Sequence, residues 1–144
     1  MTTNHSLDLI KQACTKLGLN LTPIREKVIG YLVAASESRT AYQILEFLQQ
    51  SDPGAKPPTV YRALDFLCMN GFVHRIESSN SFVACELEGQ VHMAQFFICQ
   101  ACNQVTEFHS HKLSKILEEE AALFDFSIQQ EILEAKGICK SCKS

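Results

Sequence analysis

The sequence predicts an α+β chain in two units, and three observations carry that expectation. Residues 57–67 read as a short helix with an apolar and a polar face, and three further helical patterns precede it. Two β-rich runs, 72–77 and 81–85, follow it around a polar turn. Four cysteines, Cys99, Cys102, Cys139 and Cys142, then arrive as two Cys-x-x-Cys pairs among strand-like and helix-like segments. Helices followed by a recognition-type helix and a hairpin make a winged helix-turn-helix unit. The remainder makes a smaller α/β unit. The expected boundaries are 1–85 for the winged helix, 86–94 for a hinge, and 95–144 for a zinc-binding unit.

Each element has its own warrant. Ser6 is expected to cap a first helix to about Leu17, with Gly18 as its left-handed stop. Thr22 caps a second helix with Pro23 at its first position, and Ile24, Val28, Ile29, Leu32 and Val33 form its stripe. Thr40 and Gln43 are a capping-box pair for a third, which turns Ile44, Leu45 and Leu48 inward. Ser51-Asp52-Pro53-Gly54 is a turn. In the fourth helix the prolines fit the first turn, where a backbone N–H has no intrahelical acceptor. Val60, Ala63, Leu64 and Leu67 recur at helical spacing, and Tyr61, Arg62 and Asp65 face the other way. Such a helix alone is an ordinary amphipathic element. The wing behind it points the polar face to nucleic acid: Arg62 can donate two hydrogen bonds to guanine, and Tyr61 can meet sugar, phosphate or a thymine methyl. Residues 86–94 lack periodicity. Beyond them 96–98 and 105–108 are strand-like, with a tight turn at 99–103. Leu113, Ile116, Leu117, Ala121 and Phe124 make a helix stripe, and 127–136 reads as a strand with Ile128 and Ile132 in phase. Roughly 50 residues make a thin core, so this unit needs metal, a partner subunit or both.

Composition narrows the class. The chain has 144 residues, 46% of them hydrophobic, enough for a packed core. No apolar run approaches the roughly 20 residues a membrane helix needs. The opening residues lack a basic and apolar leader, so a cytoplasmic protein is expected. Net charge is -3, and it is uneven. Residues 1–80 hold eight Lys/Arg and seven Asp/Glu, whereas 81–144 hold five and nine. A DNA-binding face must then be a local patch in the first half, with salt-sensitive binding.

Seven cysteines, an odd number without a secretion signal, favour metal over disulfides. Two Cys-x-x-Cys turns complete a tetrahedral zinc site from Cys99, Cys102, Cys139 and Cys142. Four thiolates leave no open position, so that site is structural. His74, Cys85, His92 and Glu107 are a second set: two nitrogens, one sulfur and one carboxylate suit zinc and disfavour Mg or Mn. The plainer reading of these four is a hydrogen-bonded strand histidine and a small buried thiol. His109 and His111 form a His-x-His pair just before a helix, a pattern able to bind metal but read first as exposed loop histidines, and Cys14 and Cys68 read as cysteines without chemistry. An enzyme is not expected. A zinc deaminase would need His-x-Glu with Pro-Cys-x-x-Cys, and no nucleophile–base pair or phosphate loop is present.

Leu21-Thr22-Pro23-Ile24-Arg25, Pro58-Thr59-Val60-Tyr61-Arg62-Ala63-Leu64 and the two cysteine pairs resemble the ferric uptake regulator family of bacterial metal-dependent repressors. The likeness covers nearly the whole chain. Pro57 to Leu67 with Gly71-Phe72-Val73-His74 is similar to the family's zinc uptake regulators. The resemblance implies structural zinc at the four cysteines and regulatory zinc at His74, Cys85, His92 and Glu107, so two zinc ions per protomer. It implies DNA contacts by Tyr42 and Arg62, with Tyr61 nearby, and a homodimer on a double-stranded operator with residues 95–144 as its dimerisation unit, and no membrane or small-molecule substrate. Iron-sensing members carry a His-rich linker where this chain has Gln90-Val91-His92-Met93, and Gln130 stands where a further histidine is found. Both departures lead away from iron. The expected function is a zinc-responsive repressor of zinc uptake and homeostasis genes, closing its dimer onto an inverted repeat when zinc binds at the hinge. The alternatives are a thiol- or peroxide-sensing regulator and a protein-binding winged helix with structural zinc alone.

Overall fold

The computed structural model describes residues 2–85 and 93–143, with side chains from residue 7 in the first stretch and from 94 in the second. The chain is α+β and divides into two compact units, Met1–Glu88 and Gly89–Ser144.

The first unit runs α1 (Thr2–Leu17), α2 (Pro23–Ala34), β1 (Arg39–Thr40), α3 (Ala41–Gln49), α4 (Pro57–Met69), β2 (Val73–Ile76) and β3 (Ser81–Ala84). Thr22 caps α2 by accepting from the backbone N–H of Arg25. Thr40 and Gln43 form both halves of the capping box on α3. The core is one cluster in which Val28, Ile29 and Leu32 of α2 meet Ile44 and Leu48 of α3 and Val60, Ala63, Leu64 and Leu67 of α4. Val73 and Phe82 seal it from the wing. The helical spacing named these residues, because a 3.6-residue period leaves one side of each helix to face its neighbours.

Two expectations change here. Ser6 lies inside α1, which starts at Thr2. No Pro or Gly at positions 2–5 stops the helix from extending past it, and a cap requires extended backbone. The wing is also a three-stranded sheet in the order β1-β3-β2, with Arg39 opposite Phe82 and Thr40 opposite Ser81. A two-residue strand has no periodicity to read, so β1 carried no signal. It is pinned by Ser81 Oγ donating to Ser38 Oγ at 2.7 Å.

The second unit runs β4 (Met93–Cys99), β5 (Val105–Phe108), α5 (His111–Ala122) and β6 (Glu131–Gly137), followed by a 3-10 turn at Lys140–Cys142. Its sheet has the order β5-β4-β6. β4 and β5 are an antiparallel hairpin. β6 lies parallel to β4 with Met93 opposite Glu131, a pairing that needs a crossover and uses α5 for it. β4 begins at Met93, earlier than the run 96–98, within the stretch expected to be hinge; residues 86–92 of that stretch lie outside the described residues. The last strand begins at Glu131 rather than 127, and its phase is the reverse of the expected one: Glu131 is buried and Ile132 exposed. The cause is a polar cluster. Gln95 Nε2 donates to Glu131 Oε2 at 2.9 Å and Ser114 Oγ donates to the same oxygen at 2.7 Å, which compensates the buried carboxylate. The helix stripe forms, capped by Ser110, but α5 buries no residue in this chain.

Among the described residues no helix is long and apolar enough to cross a membrane.

Candidate metal centres and nucleic-acid face

Two tight turns build the four-cysteine centre. The first closes as Asn103 N–H donates to Cys99 O at 2.9 Å, and Asn103 takes a positive φ of 63°. The second closes as Cys142 N–H donates to Cys139 O at 3.0 Å. Parallel pairing of β4 with β6 brings the turns together, since Cys99 and Gly137 are ladder partners and Gln100 N–H donates to Gly137 O at 2.8 Å. The four ligand sulfurs all lie within 4.8 Å of one another. Cys102 and Cys139 sulfurs are 3.8 Å apart. A tetrahedron with Zn–S bonds of roughly 2.3 Å has edges of roughly 3.8 Å, so the Cys102–Cys139 pair already has the spacing of a zinc site.

Backbone dipoles prepare this centre. The N–H of Cys139 reaches Cys99 Sγ at 3.3 Å. That bond, with others from Cys102 and Ala101, pulls the Cys99 thiol down to about 6. Neighbouring thiols act the other way. Contact with Cys139, then Cys102 and Cys99, pushes Cys142 up to about 12. At Cys102 the Gln104 backbone pulls down, but Cys99 and Cys139 outweigh it and the thiol is raised. Four sulfurs so close cannot all ionise until a cation shares their charge.

The second expected set is distributed along both units. His74 is buried on β2, opposite Val83 of β3. Cys85 follows two residues after Val83, and its N–H donates to Phe72 O at 2.8 Å, extending the ladder. Opposed residues share a face and alternate ones return to it, so His74 and Cys85 stand on the same side of the wing. Glu107 is buried on β5. His92 lies outside the described residues. Cys14 is buried and Cys68 half-buried, and burial raises both thiols, Cys68 to about 11. Neither is activated.

His109 overturns its expectation. It directly follows β5, and its side chain is only 13% exposed. Period-2 alternation from Glu107 puts His109 on the same side, a signal available in the sequence. His111, at the first position of α5, is exposed as expected.

The expected nucleic-acid residues all lie on the surface of the first unit. Tyr61 and Arg62 are exposed on α4, directly beyond the buried Val60. Tyr42, near the start of α3, is 69% exposed. A large aromatic so open to water, on a helix whose other face is core, is available to a partner. Arg25 instead stacks on Phe66, 3.8 Å from the ring centroid, and helps hold α2 to α4.

The chain and its fold match known proteins. The model of the ferric uptake regulator family matches residues 16–136. The chain is 39% identical over 142 residues to the zinc uptake regulation protein of Escherichia coli (strain K12), covering 98% of this chain and 83% of that one. A solved zinc uptake regulator complexed with zinc and DNA matches with a TM-score of 0.93 at 38% identity, covering 99% of this chain and 95% of that one. Holo XcZur matches with a TM-score of 0.88 at 39% identity, covering 96% and 97%.

Proposed function

The chain belongs to the ferric uptake regulator family, and from that premise we propose that it is a zinc-responsive transcriptional repressor of zinc uptake and homeostasis genes. It acts as a homodimer on a double-stranded operator in the cytoplasm, and not as an enzyme. Each protomer holds two zinc ions. Cys99, Cys102, Cys139 and Cys142 hold the structural one. His74, Cys85, His92 and Glu107 hold the regulatory one. The winged unit binds DNA, the second unit dimerises, and the segment between them is the hinge.

The observation that carries this reading is the shared wing face of His74 and Cys85, which places an imidazole and a thiol immediately after the helix that bears Tyr61 and Arg62. Zinc, when bound, supplies a divalent charge that these donors share, with no redox chemistry of its own. His74 and Cys85 precede the segment 86–92 and Glu107 follows it. Donors on both sides of a linker that grip one ion restrict the winged unit to one arrangement. Two α4 helices of a dimer so restricted reach successive major grooves about 34–36 Å apart. Tyr42, Tyr61 and Arg62 then meet phosphates and base edges. Shifting an equilibrium from 1:99 to 99:1 takes about 5.5 kcal/mol of differential binding, within the range of a four-donor zinc site.

Cys85→Ser tests the assignment. We expect the variant to keep one tight zinc per protomer and its thermal stability, to lose the second zinc, and to lose zinc-dependent retention of operator DNA. A normal zinc response in Cys85→Ser overturns the regulatory site. Peroxide-induced loss of DNA binding at constant free zinc would favour the redox reading instead.

A further inference from the structure

His109 is a half-buried imidazole that the proposed function leaves unused. Its Nε2 is shielded from solvent and has no hydrogen-bond partner among the described residues. Buried polar nitrogens are nearly always paired, so an unpaired one points to an interaction still to be made. The group it faces is Glu107 Oε1, 3.9 Å away, too far for a hydrogen bond and close enough for a side-chain rotation to make one.

The surroundings favour movement of the side chains and not of the backbone. Ser110, the next residue, is clamped: its N–H donates to Gln95 Oε1 at 2.6 Å and its carbonyl accepts from Gln95 Nε2 at 3.3 Å. Gln95 is itself fully buried and tied to Glu131. The His109 main chain therefore sits against a fixed support, and the imidazole is the part that can turn.

We propose that His109 is a positioning residue for Glu107. When one carboxylate oxygen of Glu107 is given to the regulatory zinc, the His109 Nε2–H donates to the other oxygen and holds the carboxylate in its ligating rotamer. The inference rests on the reading of Glu107 as a zinc ligand. Carboxylate ligands are ordinarily oriented by such outer hydrogen bonds, and losing one costs about 10–100-fold in metal affinity.

The test uses the full-length dimer in reduced form, with chelator competition for zinc and X-ray absorption on the two-zinc protein. His109→Leu removes the donor with little change in volume, and His109→Gln keeps an N–H donor. We expect His109→Leu to bind the second zinc about 10–100-fold more weakly, with the structural zinc and the coordination set unchanged, and His109→Gln to recover most of the affinity. Wild-type affinity in His109→Leu, measured where Cys85→Ser loses the second zinc, overturns the positioning role and leaves the site reading intact. Loss of one nitrogen from the coordination set overturns it too, because His109 would then be a ligand. If neither Cys85→Ser nor His109→Leu alters the second zinc, the ligand assignment itself has failed, and this proposal fails with it.

Discussion

Cys99 and Cys142 share one cluster and are pushed in opposite directions, down to about 6 and up to about 12. Backbone N–H groups aimed at Cys99 stabilise its thiolate, and adjacent sulfurs keep the proton on Cys142. At pH 7 the metal-free centre thus holds protons at Cys102 and Cys142 that zinc must displace. The sign follows: the metal-free state binds more protons, so raising the pH favours loading. Zinc affinity of this centre should rise by at least about two log units per pH unit near neutrality, read by chelator competition from pH 6.5 to 8. A second prediction concerns Gln95. Gln95→Leu would leave Glu131 with one donor fewer in a buried place, at a cost of about 1–3 kcal/mol, measurable by urea unfolding. Glu131→Gln with Gln95 intact should cost less, because an amide needs less compensation than a charge. The centre itself was legible at residue level, since Cys-x-x-Cys is a local motif whose turn geometry needs no distant information. The Gln95–Glu131 pair was not, because the two residues are 36 positions apart and meet only through the β4–β6 register.

The helices of the first unit follow their sequence signals closely. Thr22, Pro23, Thr40 and Gln43 act within one turn of the backbone they cap, so their effects do not depend on the rest of the fold. Thr40→Ala should lower stability by about 1 kcal/mol, through loss of the cap on α3. Gly30 offers the opposite change. It lies inside α2, and an added Cβ would meet only Leu7 Cδ2 at 3.8 Å, an ordinary contact. Gly30→Ala should stabilise the protein by about 0.5–1 kcal/mol, seen as a higher urea midpoint at unchanged slope. If it destabilises instead, the α1–α2 packing is tighter than this spacing implies. The misread elements are the short or sharply bounded ones. β1 has two residues, and the last strand is set by a carboxylate and not by its isoleucines.

For the molecule as a whole, the second unit is unfinished as a single copy. Leu113, Ile116 and Leu117 on α5 and Leu123, Phe124 and Phe126 just after it are all exposed. A regular apolar stripe left exposed on a helix marks an interaction face, the one by which a dimer is expected to form. Leu117→Glu should convert the dimer to a zinc-bound monomer in sedimentation, with operator affinity reduced at least 10-fold because one recognition helix remains where two acted. Stripping all zinc should melt the second unit before the first, since the first has its own apolar cluster and the second relies on the four-cysteine centre.

What could be read along the chain was whatever depends on near neighbours. Helix caps, the amphipathic stripe with Tyr61 and Arg62 opposite it, the wing hairpin and the paired cysteines all rest on periodicity or on spacings of a few residues. Steric and hydrogen-bonding rules act at that range without knowledge of the fold. Which side of a strand is buried, whether a stripe finds its partner inside the chain, and what a histidine faces depend on register and packing between distant segments. Ile132 turned outward because Glu131 found two donors, α5 kept its apolar stripe exposed, and His109 was half-enclosed beside Glu107. Each outcome is a choice between competing burials, and that choice is made only when the whole set of surfaces is brought together.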